Sequence, residues 1–273
     1  MEEKIQQQDV PHYFKRPKTQ NRLQTIVVRE FQQADNLKVQ QIFYDGMMEM
    51  VADTAFRGLK HHPESLLLYT AMTVLCFVIT MSWWVIGLIP AIVLYGRYFY
   101  SRRVIHRFLA HALSRDMGDI AGFYNKSPES CLWVAVLEGK VVGIVAAVGQ
   151  QNSRGAVELQ RLSVDRSYRR HGVGVALGQK LLEFAVTHRY SCVVLGTTAY
   201  KPAAHRLYRG LGFRCVGFTN GHGTPGARLD LLERIFYRVR HHHYKLNVQD
   251  VQIARALKMV STDIVGVQTT ELN

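Results

Sequence analysis

The chain has 273 residues, 48% of them hydrophobic, and a formal net charge of +13. That length and apolar content support one substantial core plus an accessory segment and exclude a wholly disordered chain. The excess of positive charge calls for an anionic partner: nucleic acid, acidic lipid headgroups, or a phosphorylated cofactor with an acidic substrate.

Residues 1–22 are polar, rich in Gln and Lys and without periodicity, which predicts a disordered N-terminal tail and no signal peptide. Order is expected to begin with a strand at 25–31. A helix follows from Asp35 and keeps Leu37, Ile42, Met47, Met48 and Val51 roughly on one face. From 66 to 96 there are 31 consecutive residues without Asp, Glu, Lys, Arg or His. One membrane crossing needs about 20 apolar residues and two need about 40 plus a turn, so the run is long for one and short for two. Arg57, Lys60, His61 and His62 precede it; Arg97, Arg102, Arg103, His106 and Arg107 follow it. Positive charge at both ends favours a helical hairpin that dips into the bilayer and returns to the cytosolic face. Gly87 and Pro90 are the expected breakers at its tip, and Trp83, Trp84, Tyr95, Tyr98 and Tyr100 suit the interface. A buried pair of core helices is the alternative.

After the hairpin, 102–124 reads as one amphipathic helix with Arg and His outward. Strands are expected at 131–137, 141–149 and 156–164, the first two joined by a turn at Glu138-Gly139-Lys140. Helix 172–188, strand 191–196, helix 201–210 and strand 213–218 complete a β-α-β-α-β tail with parallel pairing across the last crossover. Past Leu246 the sequence turns polar, with a short helix expected around 251–258. The four cysteines, Cys76, Cys131, Cys192 and Cys215, form no C-x-x-C pair, so neither a zinc site nor a disulfide framework is indicated. His241-His242-His243 reads as a solvated basic patch and not a metal site.

The chemistry concentrates at Arg169-Arg170-His171-Gly172-Val173-Gly174, between a β-rich run and an amphipathic one. A strand turning through glycines into a helix leaves backbone N–H groups unpaired where the macrodipole favours negative charge, a seat for a pyrophosphate. The spacing is neither the dinucleotide fingerprint nor the P-loop. Glu158, at the start of the preceding strand, is the carboxylate placed to take a proton from an amine, although a solvated strand-end Glu is the plain alternative.

Read with Ala203-Ala204-His205-Arg206-Leu207-Tyr208-Arg209-Gly210-Leu211-Gly212-Phe213, this turn resembles motifs A and B of the GNAT N-acetyltransferase superfamily. The resemblance implies an α/β fold whose mixed, V-splayed sheet with flanking helices grips acetyl-CoA between its fourth and fifth strands. Segments 54–59, 98–105, 133–137, 141–147 and 193–199 are similar to the aspartate N-acetyltransferases of the camello-type branch. That implies an acetyltransferase domain over 23–246, interrupted by a membrane-embedded segment at 66–96 and followed by a polar tail at 247–273. It also implies an endoplasmic reticulum membrane protein with its catalytic domain facing the cytosol.

By the same resemblance, Arg169, Arg170, His171, Gly172, Val173 and Gly174 hold the coenzyme diphosphate. Leu162, Ser163 and Val164 line the pantetheine arm with backbone groups. Tyr208 falls on the motif B tyrosine, as the acid for the departing thiolate or as a packing contact. An aspartate acceptor needs cationic forks for its carboxylates, and Arg57 and Arg161 are the candidates, with His205 and Lys201 as weaker ones or as a solvated helix face. Simple alternation puts Glu158 and Arg161 on opposite faces, and a bulge in that strand would bring them together. Arg170-His171 stands where this branch usually has Gly-Lys, and 219–227 diverges. Other acceptors, a cysteine S-conjugate or a lysine side chain, therefore stay open, as does a non-catalytic lipid- or nucleic-acid-binding module. No nucleic-acid-binding motif is present in the sequence.

Overall fold

Strand β1 (Val27–Glu30) pairs antiparallel with β2 (Ser130–Leu137), and β3 (Lys140–Gly149) and β4 (Ala156–Val164) complete a meander. The β2–β3 hairpin closes through Glu138 and Gly139 at φ 51° and 75°, the left-handed pair that matches strand twist. β5 (Cys192–Thr198) joins β4 in parallel, and β6 (Arg214–Gly221) and β7 (Val239–Asn247) extend the sheet. This computed structural model describes residues 25–61, 63–150, 155–221, 233, 236–237 and 239–252. Its seven strands lie in the order β1-β2-β3-β4-β5-β7-β6.

Helix α1 (Asn36–Ala55) covers one sheet face together with the later helix α3 (Trp84–Leu113), which forms a hairpin with α2 (Pro63–Thr80). Its residues Val39, Ile42 and Phe43 interlock with Ile105 and Leu109 of α3 and with Val134, Ile144 and Ala146 of the sheet. The short α4 (Ile120–Tyr124) follows. The other face carries α5 (Val173–Thr187) and α6 (Pro202–Gly210), whose Leu177, Leu181 and Tyr208 pack with Trp133, Val157, Leu159 and Leu195. Gly143 brings α5 close, because a Cβ there would stand 2.9 Å from a Val173 methyl.

Both helices α2 and α3 are long and apolar enough to cross a membrane. Their side chains face outward: Leu67, Leu75, Val78, Ile79, Leu88 and Ile92 are each more than half exposed. An apolar surface of that extent marks a face built for a partner or a bilayer and excludes the buried core pair. The hairpin turns at Met81–Trp83, not at Gly87 and Pro90, and Met81 takes φ 51°. Pro90 lies seven residues into α3 and inside the helix. The expected 102–124 helix is likewise redistributed, since α3 runs unbroken from Trp84 to Leu113 and only α4 follows.

At the hairpin's base Arg97 is wholly buried. Its Nε donates to the Ala55 carbonyl at 2.8 Å and Nη2 to that of Thr54 at 3.2 Å, while Nη1 lies 3.4 Å from the Tyr69 hydroxyl. The last carbonyls of a helix have no partner within it, so Arg97 caps α1 and rivets the hairpin to the domain.

The expected adjacency of β5 and β6 does not form. Strand β7 lies between them, antiparallel to both, so the two are parallel without being neighbours. The histidine run is therefore part of the sheet, with His241 and His242 partly buried and only His243 exposed: the three pair with Thr198, Thr197 and Gly196. Polar residues concealed this strand, whose apolar alternation is confined to Tyr244 and Leu246. Order also passes residue 246, because 248–252 is helical and Val248 is buried in the core. The tails at 1–22 and 253–273, most of the loop after β3 and residues 222–227 of the divergent segment lie outside the described residues.

Replacing Arg97 by methionine strands buried acceptors on α1. The expected outcome is a loss of about 1–3 kcal/mol, read as a lower melting temperature of the detergent-solubilised chain. A wild-type melting temperature would exclude the capping role.

Candidate active site

Strands β4 and β5 share only three residue pairs, Ala156–Cys192, Val157–Val193 and Glu158–Val194. Beyond Val194, β5 pairs with β7 alone, and beyond Glu158, β4 pairs with β3 alone. The edge of β4 that faces β5 thus has no strand opposite it from Leu159 to Val164. An extended ligand carrying amides can take the place of the missing strand. Leu162 and Val164 pack on the α5 face, whereas the Ser163 hydroxyl donates to the Ile42 carbonyl of α1 at 3.1 Å.

A bulge interrupts β4 here. Gln160 pairs with Ala146 and Ser163 with Ile144, so Arg161 and Leu162 together oppose Val145. Arg161 adopts φ 56°, the left-handed region. Side-chain parity shifts as a result, and Glu158, Gln160, Arg161 and Ser163 all face α1 and α3. Glu158 is half-buried and accepts from Gln160 Nε2 at 3.0 Å.

At the end of β4 the chain turns into α5 through Arg170 at φ 68° and Gly172 at φ 87°. Gly172 caps α5 without a side-chain bond, leaving the first N–H groups of the helix for a ligand. Space around Gly172 is open, with only an Ile26 methyl 3.8 Å from a built Cβ, so it is the backbone angle that requires glycine. Val173 buries its side chain completely and can offer only its N–H. Gly174 lets α5 approach α6, since a Cβ would meet Leu207 at 3.1 Å. Arg170 and His171 are exposed beside the turn. Arg169 instead ion-pairs with Glu49 of α1 at 2.8 Å and donates to the Val164 carbonyl at 3.0 Å. An open turn with uncapped N–H groups and flanking cations fits a diphosphate.

On the other face Tyr208 of α6 is buried, its ring edge-on to Phe213 at 6.0 Å and tilted against Tyr244 at 5.9 Å. Burial, and secondarily Tyr244, push its phenol up to about 12. His205, expected at most as a cleft or solvated residue, is buried: Nε2 donates to the Thr198 carbonyl at 3.0 Å, which leaves Nδ1 to accept from the Tyr244 hydroxyl at 2.8 Å. Lys201 reaches across to the Gly46 carbonyl of α1 at 3.3 Å, and burial lowers its pKa while Glu49 opposes that. Arg57 stands at the rim, 64% exposed, paired with Asp53 at 3.0 Å. The next residue, Gly58, abuts the Tyr200 ring of the β5–α6 loop, a built Cβ lying 3.2 Å from it.

The structure therefore gathers Glu158, Arg161, Ser163 and the α5 turn around one strand gap and leaves Arg57 at its rim. Arg161, expected to bind a substrate carboxylate, has its fork occupied by Asp116 at 2.8 Å from both Nε and Nη2. Sequence reasoning missed Glu49, Asp116, Tyr124 and Tyr244. Glu49 was detectable, because Glu49 and Asp53 are four residues apart and share a face of α1.

Residues 98–213 match the Acetyltransferase (GNAT) family model. The chain is 50% identical over 225 residues to N-acetylaspartate synthetase of Homo sapiens, covering 82% of this chain and 74% of that protein. The chain belongs to the GNAT acetyltransferase family. This acetyltransferase is also 33% identical over 195 residues to N-acetyltransferase family 8 member 7 of Mus musculus, covering 70% of this chain and 86% of the relative. A crystal structure of an N-acetyltransferase from Staphylococcus aureus Mu50 aligns with TM-score 0.46 at 17% identity, over 82% of this chain and 99% of that one. The acetyltransferase is an enzyme that takes its acetyl group from acetyl-CoA.

The Tyr208 shift has a stability consequence. Between pH 10 and about 12 the unfolded chain has lost the Tyr208 proton while the folded chain retains it, so stability falls as pH rises through that window. Tyr208→Phe is expected to flatten the alkaline fall of the unfolding free energy in denaturant titrations. Identical slopes for the two proteins would count against the buried neutral phenol.

Proposed function

We propose that this enzyme is a membrane-anchored N-acetyltransferase that moves acetyl from acetyl-CoA to the α-amine of L-aspartate, giving N-acetyl-L-aspartate and CoA. The observation that carries the reading is the half-identity, along 82% of the chain, with a relative named for N-acetylaspartate synthesis. The hairpin of α2 and α3 supplies the anchor, with membrane lipid as its partner. Positive flanks at both ends favour the cytosolic face, and the endoplasmic reticulum follows from the resemblance.

When bound, acetyl-CoA supplies a thioester as the electrophile. The N–H groups of Gly172, Val173 and Gly174, with Arg169, Arg170 and His171, hold its diphosphate. Backbone groups of Leu162, Ser163 and Val164 complete the missing strand, and an N–H along that edge polarises the thioester carbonyl. Glu158, facing the α1 side of the gap, takes the proton that makes the incoming amine neutral. Tyr208, on the α5 side and neutral throughout the physiological range, donates to the departing thiolate. Arg57 receives a substrate carboxylate at the rim, where its exposed pair with Asp53 is cheap to exchange. Lys201 is the second cation of the acceptor side, and Arg161 supports the site from behind the strand.

Incubating the full-length protein with labelled acetyl-CoA and a panel of amines tests the acceptor. Transfer to aspartate is expected to exceed transfer to other amino acids, to cysteine S-conjugates and to lysine peptides; a preference for a cysteine conjugate would overturn the reading. Within the site, Tyr208→Phe should lower kcat by at least about tenfold at nearly constant acetyl-CoA affinity, and Glu158→Gln should shift the pH–rate profile. Wild-type rates in both variants would remove these roles.

A further inference from the structure

Asp116 takes no part in the steps above, yet three bonds converge on it. It lies in the turn that follows α3 and is 6% exposed. Arg161 grips both its oxygens at 2.8 Å, and the Tyr124 hydroxyl of α4 donates to Oδ2 at 2.8 Å. The guanidinium is roofed by Phe43 of α1 at 4.9 Å and Phe108 of α3 at 5.5 Å. Burial by itself would lower the Arg161 pKa, but the bonds to Asp116 raise it overall, so the guanidinium stays charged. The turn itself is pinned, because Met117 is wholly buried and its carbonyl accepts from Gln40 Nε2 of α1 at 2.8 Å.

A buried ion pair is a poor device for stability alone, since well-packed apolar residues of similar volume serve as well. Its geometry is another matter. Arg161 is the bulge residue of β4 and holds φ 56° without being glycine. Such a backbone persists only where its surroundings over-determine it. The bidentate fork supplies that constraint, because two parallel bonds fix the direction of the guanidinium and, through the side chain, the bulge.

We infer that Asp116 is a positioning residue for acetyl transfer, holding through the Arg161 fork the β4 bulge that aims the unpaired strand edge into the β4–β5 gap. The inference rests on the proposed placement of the acyl donor along Leu162, Ser163 and Val164. Asp116 touches neither donor nor acceptor and acts only through the strand.

The test uses the full-length chain in lipid nanodiscs. Asp116→Asn keeps the shape and removes the charge; Arg161→Lys keeps the charge and removes the fork. Each is expected to lower kcat about 10- to 100-fold with the acetyl-CoA KM within about threefold of wild type, and the double variant should be no worse than either single one. Amide hydrogen exchange over 160–164 should accelerate about tenfold in Asp116→Asn while β2 keeps its protection. An unchanged kcat, a loss confined to KM, or exchange that accelerates equally throughout the sheet would each overturn the inference. If the wild-type enzyme does not acetylate aspartate, the acceptor reading fails on that control alone. The exchange measurement needs no substrate and still decides the role of Asp116.

Discussion

Two parallel strands that share three residue pairs and then part leave a row of backbone amides facing a gap. Nothing else in the fold makes sense without that parting. A gap in a sheet tends to close, because strands gain by pairing along their length, so structure on both faces must hold it open. On one face α5 is drawn against the sheet at Gly143 and against α6 at Gly174. On the other, α1 is tied to β4 by the Ser163 hydroxyl and to α6 by Lys201, one residue on each side of the opening. Strand β7 satisfies the far edge of β5, so the edge that faces β4 is the one left open beyond Val194.

The apolar hairpin is part of this framework rather than an appendage. α3 runs as one helix from the exposed tip at Trp84 to Leu113, against α1 and the sheet. Arg97 caps α1 near its lower end, and further along Arg103 and Arg107 reach the wholly buried Glu233 at 3.4 and 2.5 Å. Phe236 stacks on Tyr69 and Tyr100 of the two hairpin helices. Glu233 and Phe236, the residues described just before β7, therefore rest on the hairpin base. Packing the Glu233 carboxylate and the Phe236 ring against the two hairpin helices ties the placement of the hairpin to the residues before β7.

What the sequence made legible follows from the range of each signal. The meander, the glycine turn and helix α5 rest on local periodicity and backbone chemistry, and each was visible within about ten residues of text. Strand β7 was not, because Arg240 and three histidines occupy positions whose neighbours are strands from elsewhere in the chain. The hairpin tip was misplaced for a related reason: proline is tolerated within the first turns of an apolar helix, while Met81, an unremarkable residue, took the left-handed angle. The bulge in β4 was anticipated as a way to reconcile Glu158 with Arg161. Its cause, Asp116, lies 45 residues earlier, and no spacing rule connects the two.

The ion pairs around the gap divide by exposure, and the division separates two kinds of work. Arg169–Glu49 leaves 41% and 33% of its side chains exposed, and Arg57–Asp53 leaves 64% and 25%. Pairs so hydrated contribute little to stability, about 0–1 kcal/mol, so an arriving phosphate or carboxylate can take the cation at small cost. Such arginines keep the turn and the rim ordered before a ligand arrives and remain available to it. Arg161–Asp116 leaves only 16% and 9% exposed. Opening that pair would strand a charge in an apolar pocket, which costs several times more than opening a surface pair, so no incoming anion displaces it. The same side-chain chemistry thus yields exchangeable contacts where water reaches and a fixed backbone where it does not. Under the proposed function, exposure and not residue type decides which arginine meets a ligand and which one shapes the strand that receives it.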